Sequence, residues 1–402
     1  MHIGSRRGRF GMVVLTCRAV TLWRAAHQRP AAPVKEDRMF RYDLALIGFG
    51  GVNRALAELI AERGDALRAE LGFGLRVVAI TDLRAGSLVR TEGDGIDLTP
   101  LLAVAPGELD FSQLEGGSPE PRNEWVIKEV PADIVAEATF TNPTDGEPAL
   151  SHLRWAIEAG KHVCTTNKGP IALHGPALRE LARRHGVRVE SEGTVMSGTP
   201  VLRTARRMFG GLTVTGFEGV MNGTSNYVLG RLEAGLSFAD AVAEAQALGY
   251  AEADPTADVE GYDVQLKVMI LAGEVLGADL KRTDVPCTGI SSLTAEDVRL
   301  AAAEGLRWRL VGSAVRRADG TVEARVAPVA LPAEHPLAGV SGPTNAVAFH
   351  TDLLGTVTIG GPGAGRTETA YALLSDVIGI HEHTGGAASG FGVKSLQEAR
   401  RG

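Results

Sequence analysis

The sequence predicts an α/β protein that combines a doubly wound parallel sheet with a second, mixed α+β domain. Short apolar runs alternate with helical segments between residues 42 and 190, which is the pattern of a parallel sheet with helical connections. Beyond residue 190 strand-like runs predominate, and helical segments separate only some of them. We therefore divide the chain at these changes of pattern into three parts, at 39–190, 191–345 and 346–402.

In the first part, four apolar runs have the length of strands, and two segments between them have helical periodicity. The first run ends in a cluster of glycines, and the second closes on Asp82. The predicted strands lie at 42–47, 75–81, 134–139 and 160–165, and the predicted helices at 55–60 and 148–159.

The later parts contain four strand-like runs and four helical segments. The last helix follows a glycine-rich loop at 360–365, which could return the chain to the first domain. The predicted strands lie at 212–221, 307–315, 322–329 and 346–359, and the predicted helices at 237–248, 264–275, 295–303 and 367–378.

Composition indicates an ordinary globular protein. A chain of 402 residues, 44% hydrophobic and 22% charged, is too long for one ordinary core. Its formal net charge of −7 gives no global attraction to nucleic acid, and no apolar run approaches the length of a membrane span. The cysteines Cys17, Cys164 and Cys287 lack metal-ligand spacing and favour a reducing compartment, so we expect a cytoplasmic protein.

Residues 1–38 differ from the rest of the chain, because six arginines precede the first acidic residue, Glu36. Met39 stands immediately before the first predicted strand. We expect this segment to be a disordered leader or the result of a misassigned start, with an arginine-rich targeting sequence as the alternative.

A glycine-rich turn, Gly48-Phe49-Gly50-Gly51-Val52, joins the first strand to the first helix. Such a turn lets the backbone approach a pyrophosphate, whose charge is favoured by the N-terminus of the helix that follows. Asn53 takes the place of a third glycine, so the motif is weak by itself, and a purely structural turn is the alternative. Its position between a strand and a helix nevertheless predicts a Rossmann-type, dinucleotide-binding domain at 39–190.

Two side chains after the second strand bear on the choice of cofactor. An acidic residue at the position of Asp82 accepts hydrogen bonds from the adenosine ribose and favours NAD. Arg84 is close enough in sequence to meet a 2′-phosphate, which favours NADP. The predicted cofactor is therefore NAD or NADP, with a slight preference for NAD.

The densest group of charges is the acidic block at 251–267, which holds five carboxylates and ends in Asp263 and Lys267. In a helix these two residues share one face, and the apolar run around them puts the lysine at the edge of a buried region. Such a lysine is easily tuned for proton transfer. The alternative is an ordinary surface ion pair, and loop formation or helix capping would equally explain Asp254 and Asp258.

Four segments, taken in order, resemble the homoserine dehydrogenase family. They are the glycine turn, the segment from Gly160 to Lys168 that ends in Thr-Asn-Lys, the motif Asn-Gly-Thr-Ser-Asn-Tyr at 222–227, and the acidic block through Lys267. The resemblance covers residues 42 to 380. It implies reversible hydride transfer between L-homoserine and L-aspartate 4-semialdehyde with NAD(P), in threonine and methionine biosynthesis.

The resemblance also implies roles for single residues in a cleft between two domains. It implies that Lys267 is the acid/base, with Lys168 and Asp263 as further catalytic residues, and that the substrate contacts Glu252, Asp258, Asp263, Thr224 and Gly223. Implied cofactor contacts are Gly48, Phe49, Gly50, Gly51, Val52, Asp82, Arg84, Ala138, Thr139, Lys168, Gly363 and Gly365. A sodium ion is implied at Glu192, Val195, Ser197 and Thr199, mainly through backbone oxygens. The part at 191–345 is implied as the substrate and dimerisation domain of a homodimer, and the part at 346–402 as a return to the first domain.

Two other interpretations stay open on the sequence. The chain could be a related NAD(P) oxidoreductase acting on another amino acid or semialdehyde, because Asn53 and the turn at 141–145 depart from the family pattern. It could also be an inactive cofactor-binding relative, although two lysines in the cleft would then have no chemical purpose.

Overall fold

The computed structural model describes residues 40–384, which form two β-sheets with helices packed on their faces. Residues 1–39 and 385–402, and with them the predicted leader, lie outside the described residues. A mostly parallel sheet precedes a purely antiparallel one, so the predicted fold class is confirmed.

The first sheet has seven strands in the spatial order 4-3-2-1-5-6-7. The first strand along the chain lies between the second and the fifth, so the strand order reverses there. The carboxyl ends of the parallel strands beside such a point open the crevice where α/β proteins bind ligands. The strands are β1 (Phe40–Ile47), β2 (Phe73–Asp82), β3 (Gly86–Val89), β4 (Gly117–Ser118), β5 (Ile134–Glu137), β6 (His162–Thr165) and β7 (Val189–Glu190).

Five helices belong to this first layer: α1 (Gly51–Leu71), α2 (Leu98–Ala103), α3 (Asn123–Glu129), α4 (Ala149–Glu158) and α5 (Lys168–His185). Because α1, α4 and α5 each follow a parallel strand, their N-termini lie at the edge where those strands end. The antiparallel strands β3 and β4 were not predicted, since they are short and lie in glycine- and serine-containing loop sequence.

The second sheet has five antiparallel strands in the order β10-β9-β8-β11-β12. These are β8 (Val214–Val220), β9 (Leu306–Arg316), β10 (Val322–Pro332), β11 (Thr344–Thr351) and β12 (Gly355–Pro362). The helices of this part are α6 (Val201–Met208), α7 (Gly223–Glu233), α8 (Phe238–Ala247), α9 (Thr256–Val259), α10 (Tyr262–Val275) and α11 (Ala295–Ala303).

The region from residue 344 onward corrects the sequence analysis. The run at 346–359, predicted as one strand, is the hairpin of β11 and β12, and its turn was hidden by the apolar but exposed Leu353 and Leu354. Residues up to Pro362 belong to the second sheet, so the return predicted from residue 346 begins only at α12 (Arg366–Thr384). This helix packs against α1 of the first layer.

Helix α10 connects the two parts of the molecule. It packs against α5 of the first layer as well as against β9 and β10 of the second sheet. Its residues from Val264 to Ala272 are all buried. The two helices that carry the predicted catalytic lysines are therefore neighbours. Among residues 40–384, no helix combines the length and apolar character needed to cross a membrane.

Candidate active site

Lys267 and Asp263 lie one turn apart on α10 and form a buried ion pair. The Nζ atom of Lys267 donates to Oδ2 of Asp263 at 2.7 Å and to the carbonyl oxygen of Met221 at 2.5 Å. The lysine side chain is only 6% exposed, so the alternative of an ordinary surface ion pair is wrong. Burial lowers the pKa of Lys267 and outweighs the opposite effect of Asp263.

Lys168 approaches the same carboxylate from the first layer. It is the first residue of α5, directly after the loop that leaves β6, and its Nζ lies 3.5 Å from Oδ1 of Asp263. Burial alone would raise the pKa of Asp263, but the ammonium groups of Lys267 and Lys168 hold it well below its usual range. Asp263 is therefore an ionised carboxylate between two lysines, which we call the lysine–aspartate–lysine group.

Asn222 extends this group toward the predicted substrate site. It caps the N-terminus of α7, and its Oδ1 accepts a hydrogen bond from the backbone N–H of Ser225 at 2.8 Å. Its Nδ2 donates to Asp258 at 2.6 Å and to Asp263 at 3.0 Å. Burial raises the pKa of Asp258. The role of the Asn222 side chain was not predicted, although its place before a Gly-Thr-Ser helix start is a capping signal.

The other predicted substrate residues fall into two groups. Gly223 and Thr224 begin α7 beside Asn222, and Thr224 Oγ1 donates to the carbonyl oxygen of Tyr250 at 2.5 Å. Glu252 is exposed, and within residues 40–384 no hydrogen bond joins its carboxylate to the lysine–aspartate–lysine group. Its contact with a substrate ammonium stays a prediction.

The glycine turn holds a backbone conformation that only glycine adopts without strain at Gly48. Gly48 has a φ of 79°, and a Cβ atom there would lie 2.9 Å from the carbonyl oxygen of Ala138, so no other residue fits without strain. Asn53 donates through Nδ2 to the carbonyl oxygens of Ile47, Gly48 and Ala136, at 2.8–3.1 Å. The residue that departs from the glycine fingerprint therefore ties the turn and β1 to β5.

The predicted adenosine side lies at the end of β2. Asp82 accepts hydrogen bonds from the backbone N–H of Phe49 at 3.0 Å and of Arg84 at 2.9 Å, which connects it to the glycine turn. Arg84 is exposed at the same place. A pocket here is lined by Phe49, Gly50, Asp82, Leu83, Arg84, Ala85, Pro106, Gly107 and Leu109. The two sequence cues for NAD and for NADP thus lie on one pocket.

The predicted C-terminal contacts lie next to the start of α1. Gly363 and Gly365 precede α12, and the first residue of that helix, Arg366, lies against Gly51. Arg366 pairs with Glu58 of α1 at 2.9 Å. Arg366 was not among the predicted site residues, because its closeness to the glycine turn results from the packing of α12 on α1.

The segment predicted to bind sodium uses its side chains within the protein. The Glu192 carboxylate accepts hydrogen bonds from two backbone N–H groups at the start of α6, at 2.7 and 2.9 Å. The hydroxyls of Ser197 and Thr199 bond to the segment at 362–369. Ligation of a sodium ion would therefore fall to backbone carbonyls such as that of Val195, and the sodium site stays a prediction. Within residues 40–384, no three His, Cys, Asp or Glu residues are grouped to hold a metal ion.

Comparisons with known proteins agree with this architecture. A family model described as homoserine dehydrogenase matches residues 200–378. The NAD(+)-dependent homoserine dehydrogenase of Pseudomonas canavaninivorans is 58% identical over 344 residues, which cover 86% of this chain and 97% of that protein. The chain belongs to the homoserine dehydrogenase family. The resemblance seen in the four sequence segments is thereby confirmed.

Solved structures of homoserine dehydrogenases share the fold. The enzyme from Thiobacillus denitrificans is 32% identical with a TM-score of 0.73, covering 86% of this chain and 74% of that one. A hyperthermophilic archaeal homoserine dehydrogenase in complex with NADPH is 28% identical with a TM-score of 0.72, covering 85% and 98%.

Proposed function

We propose that this member of the homoserine dehydrogenase family interconverts L-homoserine and L-aspartate 4-semialdehyde with NAD or NADP, in threonine and methionine biosynthesis. The observation that carries the proposal is the lysine–aspartate–lysine group, in which Asp263 lies between Lys267 and Lys168. Close similarity to an NAD(+)-dependent homoserine dehydrogenase supports it.

Lys267 is the proposed acid/base. To oxidise homoserine it takes the proton of the side-chain hydroxyl, and to reduce the semialdehyde it returns that proton. It must be neutral to accept a proton, and its burial and the nearby Lys168 both lower its pKa in that direction. Asp263 and the Met221 carbonyl orient Nζ. A bound nicotinamide supplies the hydride acceptor or donor.

The amino-acid part of the substrate needs partners for an ammonium and a carboxylate. Asp258 is a half-buried carboxylate next to the lysine–aspartate–lysine group, which suits the ammonium. The first backbone N–H groups of α7, at Gly223 and Thr224, suit the carboxylate, because helix N-termini favour anions. Glu252 is a further candidate for the ammonium.

The residues around the crevice fit a dinucleotide. The turn at 48–52 would hold the pyrophosphate with Arg366 beside it, and Ala138, Thr139 and Lys168 would line the nicotinamide side. We favour NAD, because Asp82 lies beside the turn and a 2′-phosphate would meet its negative charge. The ratio of kcat/KM values for NAD⁺ and NADP⁺ tests this, and a value below one would contradict it.

We also make three smaller proposals, which concern the oligomeric state of the protein, its location in the cell and its binding of sodium. We infer a homodimer built on the second sheet, since β12 is an edge strand with an exposed apolar turn at Leu353 and Leu354. Light scattering, which measures the mass of the particle in solution, tests this.

Cys164 and Cys287 are free thiols, which suits the reducing cytoplasm, and fractionation of cells tests this location. Replacing sodium by choline in the assay tests the cation at 192–199.

Turnover of purified protein tests the proposed function. We expect L-homoserine to drive the appearance of NADH absorbance at mildly alkaline pH, whereas L-serine and L-threonine, which also carry hydroxyls, should give far lower rates. Absence of turnover with homoserine and either cofactor would contradict the proposal. Faster turnover of another hydroxy amino acid would favour the related-oxidoreductase interpretation.

A further inference from the structure

A fully buried carboxylate lies at the end of the central strand β5, and the proton transfer described above does not use it. Glu137 is the last residue of β5 and is 0% exposed. Its carboxylate accepts hydrogen bonds from the backbone N–H of Thr139 at 3.0 Å, from the Thr139 hydroxyl, and from the Thr165 hydroxyl at 2.9 Å. Burying a carboxylate costs free energy unless hydrogen-bond donors compensate for the lost water, and here three donors do so.

The hydrogen bonds continue from Glu137 into the loop that carries Lys168. The Thr165 hydroxyl, at the end of β6, accepts from the backbone N–H of Asn167 at 3.0 Å. Asn167 Nδ2 in turn donates to the carbonyl oxygen of Phe140 at 2.9 Å. These hydrogen bonds form a ring that is closed by the backbone from Glu137 to Phe140. The ring joins the loop after β5 to the loop after β6, and Lys168 is the residue that follows Asn167.

The side of Glu137 that faces α4 is also occupied. His152 of α4 is 2% exposed, and its Nδ1 lies 3.6 Å from Oε1 of Glu137. Its Nε2 lies 3.1 Å from Nδ2 of Asn123 on α3. The carboxylate is therefore held between the helix layer and the two loops.

We propose that Glu137 is a positioning residue for the reaction. Through Thr165 and Asn167 it fixes the backbone at Lys168, and through its bonds to Thr139 it fixes the wall on the nicotinamide side. Because Nζ of Lys168 lies 3.5 Å from Asp263, a small displacement of the loop changes the spacing of the lysine–aspartate–lysine group. The role of the ring in turnover rests on the proposed function.

Thr165 offers a clean test, since its hydroxyl makes two bonds of the ring. Thr165→Val keeps the shape but removes both bonds, and Thr165→Ser restores the hydroxyl. Thr81→Val is the matched control, because Thr81 lies near the end of β2 in the same sheet, is 0% exposed, and has a hydroxyl without a hydrogen-bond partner in the described structure. Together the three variants distinguish the effect of losing the Thr165 hydroxyl from the effect of changing the side chain's shape. They also distinguish it from the effect of replacing any buried threonine in this sheet.

We expect Thr165→Val to lower kcat for homoserine oxidation by about 10–100-fold, with KM for homoserine within about threefold of wild type. Thr165→Ser should retain kcat within about threefold, and Thr81→Val should behave as wild type. A loss limited to KM, equal losses in Thr165→Val and Thr81→Val, or failure of serine to restore kcat would overturn the proposal. If Thr165→Val does not fold, Glu137→Gln, whose amide cannot accept all three bonds, takes its place with the same expectations.

A second readout does not depend on turnover and keeps the two proposals separate. NADH binding, followed by its fluorescence, should weaken by about tenfold in Thr165→Val but not in Thr165→Ser or Thr81→Val. If the wild-type protein does not oxidise homoserine, the proposed function is wrong. The positioning role of the ring is still tested, because the NADH affinities of the variants can be compared without turnover. Equal NADH affinity in all variants would overturn the positioning of the nicotinamide side.

Discussion

Lys267 keeps a charged group among apolar neighbours on α10. An ammonium group has three protons to donate, and in the described structure two of them have acceptors, on Asp263 and Met221. The third can therefore be given to the substrate oxygen during reduction without breaking either bond, and during oxidation the lone pair of the neutral amine takes that direction and accepts the hydroxyl proton. The sequence indicated the pairing of Asp263 with Lys267, but not the Met221 carbonyl, which comes from a strand end 46 residues away.

Replacing Lys267 by alanine should lower kcat by about 10²–10⁴-fold, because no other group holds a proton at this position. NADH binding should change little, since the cofactor contacts lie elsewhere. Lys128→Ala is the matched control, as Lys128 forms the same four-residue-spaced ion pair with Glu124 on an exposed helix. Steady-state kinetics and fluorescence titration measure both, and a fully active Lys267→Ala protein would disprove the assignment.

The pH dependence tests the electrostatic role of Lys168. The charged groups that face Lys267 are Asp263 and Asp258, which raise its pKa, and Lys168, which lowers it. Lys168→Met removes a positive neighbour, so the pKa of Lys267 should rise. Because oxidation needs the neutral amine, the acidic limb of the kcat/KM profile for homoserine should move to higher pH. A shift to lower pH would contradict this arrangement.

Among the elements, the strand, glycine turn and helix at 40–71 were the most predictable. Apolar periodicity and glycine placement depend on local sequence, and both agreed with the structure. The role of Asn53 was not predictable, since its three acceptors include Ala136 on a strand that is distant in sequence. The turn at 351–355 was missed for a different reason. Its local sequence is misleading, because the apolar residues Leu353 and Leu354 occupy positions where turn residues are usual.

Gly48→Ala should weaken cofactor binding by about tenfold or more, because alanine disfavours the φ of 79° and its Cβ would approach Ala138. Gly64→Ala is the control within the following helix, where no atom lies within 4 Å of an added Cβ. That variant should bind NADH normally and gain slightly in stability. Titration with NADH compares them, and equal affinities would show that the turn tolerates a side chain.

Strand β6 should make the fold sensitive to acid. His162 is buried at its start and accepts a hydrogen bond at Nδ1 from the backbone N–H of Arg188, and burial lowers its pKa to about 4. Its unfolded pKa is about 6.5, so protons bind the unfolded chain more tightly and stability falls as the pH drops from 6.5 toward 4.

This single group should remove about 2 kcal/mol from the free energy of unfolding between pH 7 and pH 5. His162→Asn keeps an acceptor but does not titrate in this range, so it should lose less stability over the same interval. Urea unfolding at both pH values measures the difference. Equal losses in the two proteins would mean that His162 does not titrate as described.

At the scale of the whole molecule, the lysine–aspartate–lysine group exists only because two layers pack together. Lys168 and Asp263 are far apart in sequence, and the packing of α5 against α10 brings them within ion-pair distance. Asn222, at the start of α7, adds a hydrogen bond to Asp263. Periodicity could not predict this, and the family resemblance supplied the expectation. Glu252 has no such packing, because its loop is exposed and its position is not fixed by a core.

The structure of a complex with NAD⁺ and L-homoserine shows directly whether Lys267 reaches the reacting hydroxyl. We predict that the homoserine hydroxyl lies within hydrogen-bonding distance of Nζ of Lys267, with the nicotinamide against the reacting carbon and Lys168 beside Asp263. A hydroxyl held away from Lys267, or a substrate bound away from the lysine–aspartate–lysine group, would contradict this prediction.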